Sequence, residues 1–128
     1  MYLIDTNILI YYFNKEIPAD LLSLINQILK ESFNISIIAK MEFLGFRLFN
    51  KVQLIKAKKF IQYANILELT EEVAETAIQL RQTKNIKLPD AVIAGTAINN
   101  NLILVTRNEE DFQHIKGLKL LNPFKEIK

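Results

Sequence analysis

Cysteine is absent from this sequence of 128 residues, and histidine occurs once, as His114. A chain without cysteine forms no disulfide, thiolate zinc site or iron–sulfur cluster, and it has no cysteine nucleophile. With one histidine it has no histidine-rich zinc site, and any histidine-based triad depends on His114. If the protein is an enzyme, its chemistry therefore comes from carboxylates, hydroxyls, amines or a bound ion.

Long apolar runs are also lacking. Asp5 and Asn7 interrupt the apolar N-terminal residues 1–13, which carry no basic leader of the signal-peptide type. No stretch approaches the ~20 apolar residues of a membrane helix. These features predict a cytoplasmic protein that does not interact with a membrane.

Hydrophobic residues, by contrast, are plentiful and make up 50% of the chain. Together with the length, this predicts a single domain over residues 1–128 with a substantial core. Short apolar strands alternate with longer segments of helical periodicity, a pattern typical of a parallel sheet covered by helices on both faces. The strands are predicted at 2–4, 33–36, 66–69, 102–105 and 118–121. Helices are predicted at 7–13, 39–49 and 52–63, and three more begin at 18, 70 and 89. The predicted fold class is a three-layer α/β/α domain with a mostly parallel central sheet.

Four acidic residues lie where such a sheet would place a ligand site, at the carboxyl ends of its strands. They are Asp5, Glu42, Asp90 and Asp111. Asp5 ends the first strand within an apolar run, so its carboxylate needs a partner, and the amide of Asn7 can hold one of its oxygens. The others have simpler alternatives, since Asp90 can cap a helix, Asp111 can belong to a turn and Glu42 can be a solvated helix residue.

A cluster of carboxylates needs a counter-charge. Two unit charges ~4 Å apart repel by roughly 4 kcal/mol at an effective dielectric constant near 20. A divalent ion reverses the sign of this interaction, and oxygen ligands favour Mg²⁺ or Mn²⁺ over zinc. The natural reaction of such a site is phosphodiester hydrolysis.

Four segments in this order resemble a PIN domain, and within that superfamily the VapC-type toxin ribonucleases. The segments are Asp5-Thr6-Asn7, Glu42, Leu88-Pro89-Asp90-Ala91 with the small residues that follow, and Leu104-Val105-Thr106-Arg107-Asn108 with Glu109-Glu110-Asp111-Phe112. The resemblance covers essentially the whole chain.

The resemblance implies a metal-dependent endoribonuclease that leaves a 5′-phosphate and a 3′-hydroxyl. Asp5, Glu42 and Asp90 match the three core acids of the family pattern. The fourth position is open between Asn108 and Asp111, and we assign it to Asp111. Thr106 and Asn108 are then orienting groups, together with Asn7. The resemblance also implies Mg²⁺ or Mn²⁺ as cofactor, a homodimer and a cognate antitoxin partner.

The one basic concentration lies between residues 40 and 59, where six cations face the single acid Glu42. The cations are Lys40, Arg47, Lys51, Lys56, Lys58 and Lys59. Solvated helix faces explain such a stretch equally well. Beside an acidic metal site, however, Arg47, Lys51 and Arg107 are candidates to contact the phosphates of RNA.

Two other functions fit parts of the sequence. A response-regulator domain would need a phosphoacceptor Asp after the third strand and a Lys after the fifth, which Leu69-Thr70 and Thr106-Arg107 do not supply. A catalytically weak or inactive PIN-fold module that binds RNA or a partner remains the alternative, because Asn108 brings no charge.

Overall fold

Five strands of three residues each form one sheet in the computed structural model, which describes residues 1–125. They are β1 Tyr2–Ile4, β2 Asn34–Ser36, β3 Asn65–Leu67, β4 Ile103–Val105 and β5 Lys119–Leu121. Their order is β3-β2-β1-β4-β5, and every pairing is parallel. This confirms the predicted fold class.

Helices cover both faces of the sheet. They are α1 Thr6–Phe13, α2 Ala19–Glu31, α3 Ile37–Leu44, α4 Lys51–Ile61, α5 Glu71–Thr83, α6 Leu88–Asn99 and α7 Glu109–Phe112, followed by a 3₁₀ turn at Pro123–Lys125. Neighbouring strand residues point to opposite faces, so Leu3 and Leu104 join the core under α5 and α6. Ile4 and Val105 join the core under α1 to α4. The apolar strands thus bury both of their faces, as central parallel strands do.

The predicted helix over 39–49 is wrong at both ends. Helix α3 begins at Ile37, because Ser36 caps it by accepting a hydrogen bond from the backbone N–H of Ala39 at 3.1 Å. It ends at Leu44, before Gly45, and α4 begins only after Asn50, which forms a reciprocal capping box with Gln53. Strand β3 also ends two residues earlier than predicted, at Leu67.

Helices α5 and α6 pack closely because α6 is rich in small residues. A Cβ atom on Gly95 would lie 3.0 Å from the backbone oxygen of Val73 in α5. Residues 91–97 of α6 are all buried. Within residues 1–125, no helix combines the length and the apolar character needed to cross a membrane.

The order of the strands determines where a site can form. The chain first builds outward from β1 to β2 and β3, and then returns to place β4 on the other side of β1. The carboxyl ends of β1 and β4 therefore border the point at which the strand order reverses, where open α/β sheets bind their ligands.

Candidate functional site

Asp5 and Thr106 follow the last residues of β1 and β4, and they meet at this reversal point. The backbone N–H of Asp5 donates to the carbonyl of Val105 at 3.0 Å, which fixes the register between the two strands. Both side chains are buried, Asp5 with 5% and Thr106 with 0% of its surface exposed. The fold therefore holds a carboxylate and a hydroxyl side by side away from bulk water.

Both carboxylate oxygens of Asp5 accept hydrogen bonds. Oδ1 accepts from the backbone N–H of Thr6 at 2.8 Å. Oδ2 accepts from the hydroxyl of Thr106 at 2.7 Å and from Nδ2 of Asn7 at 3.0 Å. Burial nevertheless raises the pKa of Asp5, and the nearby charge of Glu42 raises it further, while the hydrogen bonds oppose the rise. Asp5 is thus rigidly oriented but short of positive charge.

The hydroxyl of Thr106 connects three parts of the site. Besides donating to Asp5, it accepts from the backbone N–H of Asn108 at 3.0 Å and from Nδ2 of Asn7 at 3.3 Å. The side-chain oxygen Oδ1 of Asn7 in turn accepts from the backbone N–H of Arg107 at 3.3 Å. Asn7, Thr106 and Asn108 therefore form one network around Asp5.

Glu42 reaches the site from α3 through a contact that the sequence did not reveal. It is exposed, and its Oε1 accepts a hydrogen bond from the hydroxyl of Thr6 at 2.7 Å. Thr6 also supplies the backbone N–H that binds Asp5, so one residue links the two acids. Its place between Asp5 and Asn7 was the only available signal of this role.

Asp90 lies in the first turn of α6 and is half-buried. It is not the N-cap of that helix, which is Lys87, so the simple capping interpretation is wrong. Burial and then the charges of the three other acids, Asp5, Asp111 and Glu42, raise the pKa of Asp90 to about 6, while the ammonium group of Lys87 lowers it. The three other acids, distant in sequence, are therefore close enough to Asp90 to act on it electrostatically.

Asp111 is exposed on α7 and lies in the same cleft as Asp90. The cleft has a volume of about 310 Å³. Its lining residues are Arg81, Asn85, Ile86, Lys87, Asp90, Glu110 and Asp111. Asn108 lines a neighbouring cleft of about 240 Å³, which Asp111 also borders. Asp111 thus adds a negative charge that acts on Asp90, whereas Asn108 adds none.

The donor set of the cluster is made of oxygen atoms only, the chemistry that suits Mg²⁺ or Mn²⁺. Within residues 1–125, no three acidic side chains are close enough together to ligate one ion as they stand. Mg²⁺ usually takes one or two protein carboxylates, keeps several waters and binds substrate phosphate. The residues present fit an ion held in that way.

The candidate cations lie in different surroundings. Arg47 lies in the turn after α3, Lys51 is the first residue of α4, and both are exposed. In the described part of the chain, no hydrogen bond or ion pair joins either of them to the four acids. The guanidinium of Arg107 lies 4.3 Å from the ring centroid of Phe124 and 5.3 Å from that of Tyr11. Arg81 and Lys87, which sequence analysis did not single out, share the cleft of Asp90.

The family model described as PIN domain matches residues 2–118. No curated protein matches the chain.

Solved structures from several bacteria are similar to this chain over nearly their whole length. A toxin–antitoxin complex from Klebsiella pneumoniae is 33% identical, with 96% of this chain and 98% of that chain covered and a TM-score of 0.76. VapBC2 from Rickettsia felis, bound to a DNA fragment from its promoter, is 28% identical, with coverages of 94% and 97% and a TM-score of 0.79. VapBC-1 from nontypeable Haemophilus influenzae is 26% identical, with coverages of 96% and 98% and a TM-score of 0.77.

Proposed function

This chain belongs to the PIN domain family, and we propose that it is a metal-dependent endoribonuclease that acts as the toxin of a toxin–antitoxin pair in the cytoplasm. One observation carries the proposal. Burial raises the pKa of Asp90, and the charges of Asp5, Asp111 and Glu42, which come from three separate parts of the chain, raise it further. Such a concentration of negative charge is costly unless a cation compensates it.

Asp5 and Asp90 are the groups we assign to hold Mg²⁺ or Mn²⁺, with Glu42 and Asp111 at the edges of the site. Thr106 and Asn7 keep Asp5 in one orientation, and the hydroxyl of Thr6 does the same for Glu42. Fixed ligands of this kind reduce the reorganisation needed when substrate arrives. When bound, the ion lowers the pKa of an attacking water and offsets the charge that develops on the phosphate.

The reaction we assign is hydrolysis of a phosphodiester bond. The oxygen of water forms a bond to phosphorus while the bond from phosphorus to the 3′ oxygen breaks, and the 3′ oxygen takes up a proton. The products are a 5′-phosphate and a 3′-hydroxyl. Arg47, Lys51 and Arg107 remain candidates for contacts to the RNA backbone, since exposed cations offset the repulsion between RNA and the acids.

An antitoxin is the protein partner that we propose, because the similar structures from three bacteria are described as toxin–antitoxin or VapBC assemblies. A groove of about 730 Å³ between α1, α2 and α4 offers a place for it. Tyr12, Phe13, Ile17 and Leu22 supply an apolar floor, and two lysines, Lys15 and Lys56, lie among its lining residues. This combination suits an amphipathic segment with acidic residues.

A homodimer is the assembly that we propose for the toxin itself. An apolar depression of about 370 Å³ lies between α5 and α6, and the residues that line it include Leu69, Ile78 and Leu88. All three are at least 48% exposed. Exposed apolar patches of this kind mark contact surfaces.

Cleavage of RNA by the purified protein tests the proposal. We expect wild-type protein to cut total RNA with added Mg²⁺ or Mn²⁺ and to stop when the ion is chelated. Asp5→Asn and Asp90→Asn should abolish cleavage, while Asp20→Asn, which changes an exposed acid in the first turn of α2, should leave it intact. Absence of cleavage at every ion concentration, with no effect of the ion on melting, would instead support an inactive binding module.

A further inference from the structure

The cleft beside Asp90 brings opposite charges together without pairing them. Three carboxylates line it, those of Asp90, Glu110 and Asp111, and so do the two cations Arg81 and Lys87. Within residues 1–125, the one salt bridge joins Lys125 to Glu109. Neither cation of the cleft therefore forms a salt bridge with the acids next to it.

Arg81 is held in place by the backbone. It lies in the last turn of α5, and its Nη1 donates to the carbonyl oxygen of Ile86 at 2.9 Å. Ile86 is buried, so this bond ties the guanidinium to a fixed part of the loop between α5 and α6. A guanidinium has five N–H donors, and one bond leaves the others free for a ligand.

Lys87 precedes α6 and is exposed. Among the described residues, no hydrogen bond or ion pair engages its ammonium group. It lines the same cleft as Asp90 and Asp111. Lys87 is therefore placed to act on a group bound beside the acidic cluster.

We propose that Arg81 and Lys87 form the phosphate-binding side of the site and hold a phosphate of the RNA chain against the acidic cluster. The inference rests on the proposed ribonuclease function and deepens it. A phosphate cannot approach several carboxylates without positive charge beside them. Arg binds phosphate through two parallel hydrogen bonds and Lys acts as a point charge, so the pair supplies both geometry and charge.

The dimensions and the backbone agree with this assignment. A volume of about 310 Å³ is at the lower end of ligand pockets, which suits one phosphate with its sugar and not a large ligand. Helix α6 is twelve residues long and begins at this cleft, so the positive end of its dipole adds partial positive charge. By contrast, Arg47 and Lys51 share no described contact with the four acids.

Arg81 could instead have a purely structural role, in which it ties the end of α5 to the next loop. In that case Lys87 should have no influence on RNA binding, because the side chain of Lys87 takes part in no described hydrogen bond. Lys87→Gln is therefore the decisive variant, and Arg81→Gln is the second. Lys84→Gln is the matched control, because Lys84 lies in the same loop but does not line the cleft.

The experiment measures the affinity for a short single-stranded RNA, by fluorescence anisotropy, between 50 and 200 mM salt with excess chelator to prevent cleavage. Loss of one phosphate contact lowers the slope of log affinity against log salt by about 0.7 for single strands. When salt rises fourfold, the affinity of a variant that lacks one contact should therefore fall by about 2.6-fold less than the affinity of the wild type. We expect that effect in Lys87→Gln, about twice the change in slope when Arg81→Gln is added, and none in Lys84→Gln.

A second measurement separates phosphate binding from an effect on the ion. Removing a positive charge beside the acids should leave Mn²⁺ affinity unchanged or higher, so Lys87→Gln should bind Mn²⁺ at least as tightly as wild type. The inference is overturned if Lys87→Gln has the salt slope of the wild type or binds Mn²⁺ more weakly. In that case, RNA cleavage by the wild type would still support the proposed function. If the wild type neither binds nor cuts RNA, both fail.

Discussion

Replacing Asp90 with asparagine should abolish activity and yet stabilise the protein in the absence of metal. The ionised carboxyl group of Asp90 is unfavourable in the folded state, because it is half-buried and faces three other acids. Its pKa rises from 3.8 to about 6, which corresponds to about 3 kcal/mol at 1.36 kcal/mol per pKa unit. Since the group is partly exposed, solvent screens the interaction, and we expect a gain of about 1 kcal/mol for the uncharged amide at pH 7.

The dependence on pH identifies the cause. A carboxyl group whose pKa is raised by folding costs nothing below its unfolded pKa, near 3.8, and destabilises the protein as the pH rises towards 6. The advantage of Asp90→Asn should therefore grow between pH 4 and 6 and stay constant above pH 7. At pH 7 it should appear as a rise in melting temperature of roughly 3–6 °C.

Thermal melting in buffers with chelator, from pH 5 to 8, measures this difference. Asp20→Asn is the control, and it should be neutral or slightly destabilising, because Asp20 lies in the first turn of α2, where a negative charge is favourable. Added Mn²⁺ should raise the melting temperature of the wild type more than that of Asp90→Asn. The reasoning is refuted if Asp90→Asn melts at or below the wild-type temperature at pH 7, or if the difference does not vary with pH.

Substitutions at three further positions test the contacts that support the site and the fold. Thr6→Val removes the hydroxyl that holds Glu42. It should lower metal affinity or activity by 10- to 100-fold, as loss of a hydrogen-bond partner of a metal ligand typically does. Thr6→Ser keeps the hydroxyl and should restore the activity, and equal activity in the two variants would contradict this role. Thr106→Val removes a buried donor to Asp5 and should destabilise the protein by about 1–3 kcal/mol in urea unfolding. Gly95→Leu should cost about 1–3 kcal/mol by forcing α5 and α6 apart, and unchanged stability would show that the helices have room to adjust.

The sequence was informative about the fold because β1 and β4, in the middle of the sheet, are short and apolar on both faces. Leu3 and Ile4 look alike in the sequence because each is buried, although against different helices. The same pattern made Asp5 recognisable as a site residue, since a carboxylate within an apolar run needs a partner. The N-terminal end of α3 was missed because Ser36 both ends β2 and caps the helix, and the C-terminal end because the helical periodicity of the sequence continues past Gly45.

Contacts between distant parts of the chain could not be predicted. Thr6 and Glu42 are 36 residues apart, and nothing local to either residue indicates the other. The basic stretch between residues 40 and 59 is contiguous only in sequence. Lys40 and Lys58 line one groove while Lys56 lines another, because residues two apart on a helix face different directions. Arg81 and Lys87 share a cleft with Asp90 only because the loop after α5 folds back.

Single-turnover cleavage of a defined single-stranded RNA tests the central claim most directly, namely that the acidic cluster at the ends of β1 and β4 carries out ion-dependent hydrolysis. Wild type and Asp90→Asn are compared with Mn²⁺ and with chelator, and the products are identified by mass. The account predicts cleavage only by the wild type with the ion, fragments that end in 5′-phosphate and 3′-hydroxyl, and no cleavage by a fully folded Asp90→Asn. Cleavage by Asp90→Asn at the wild-type rate, or a wild type that is inactive with the ion, would contradict it.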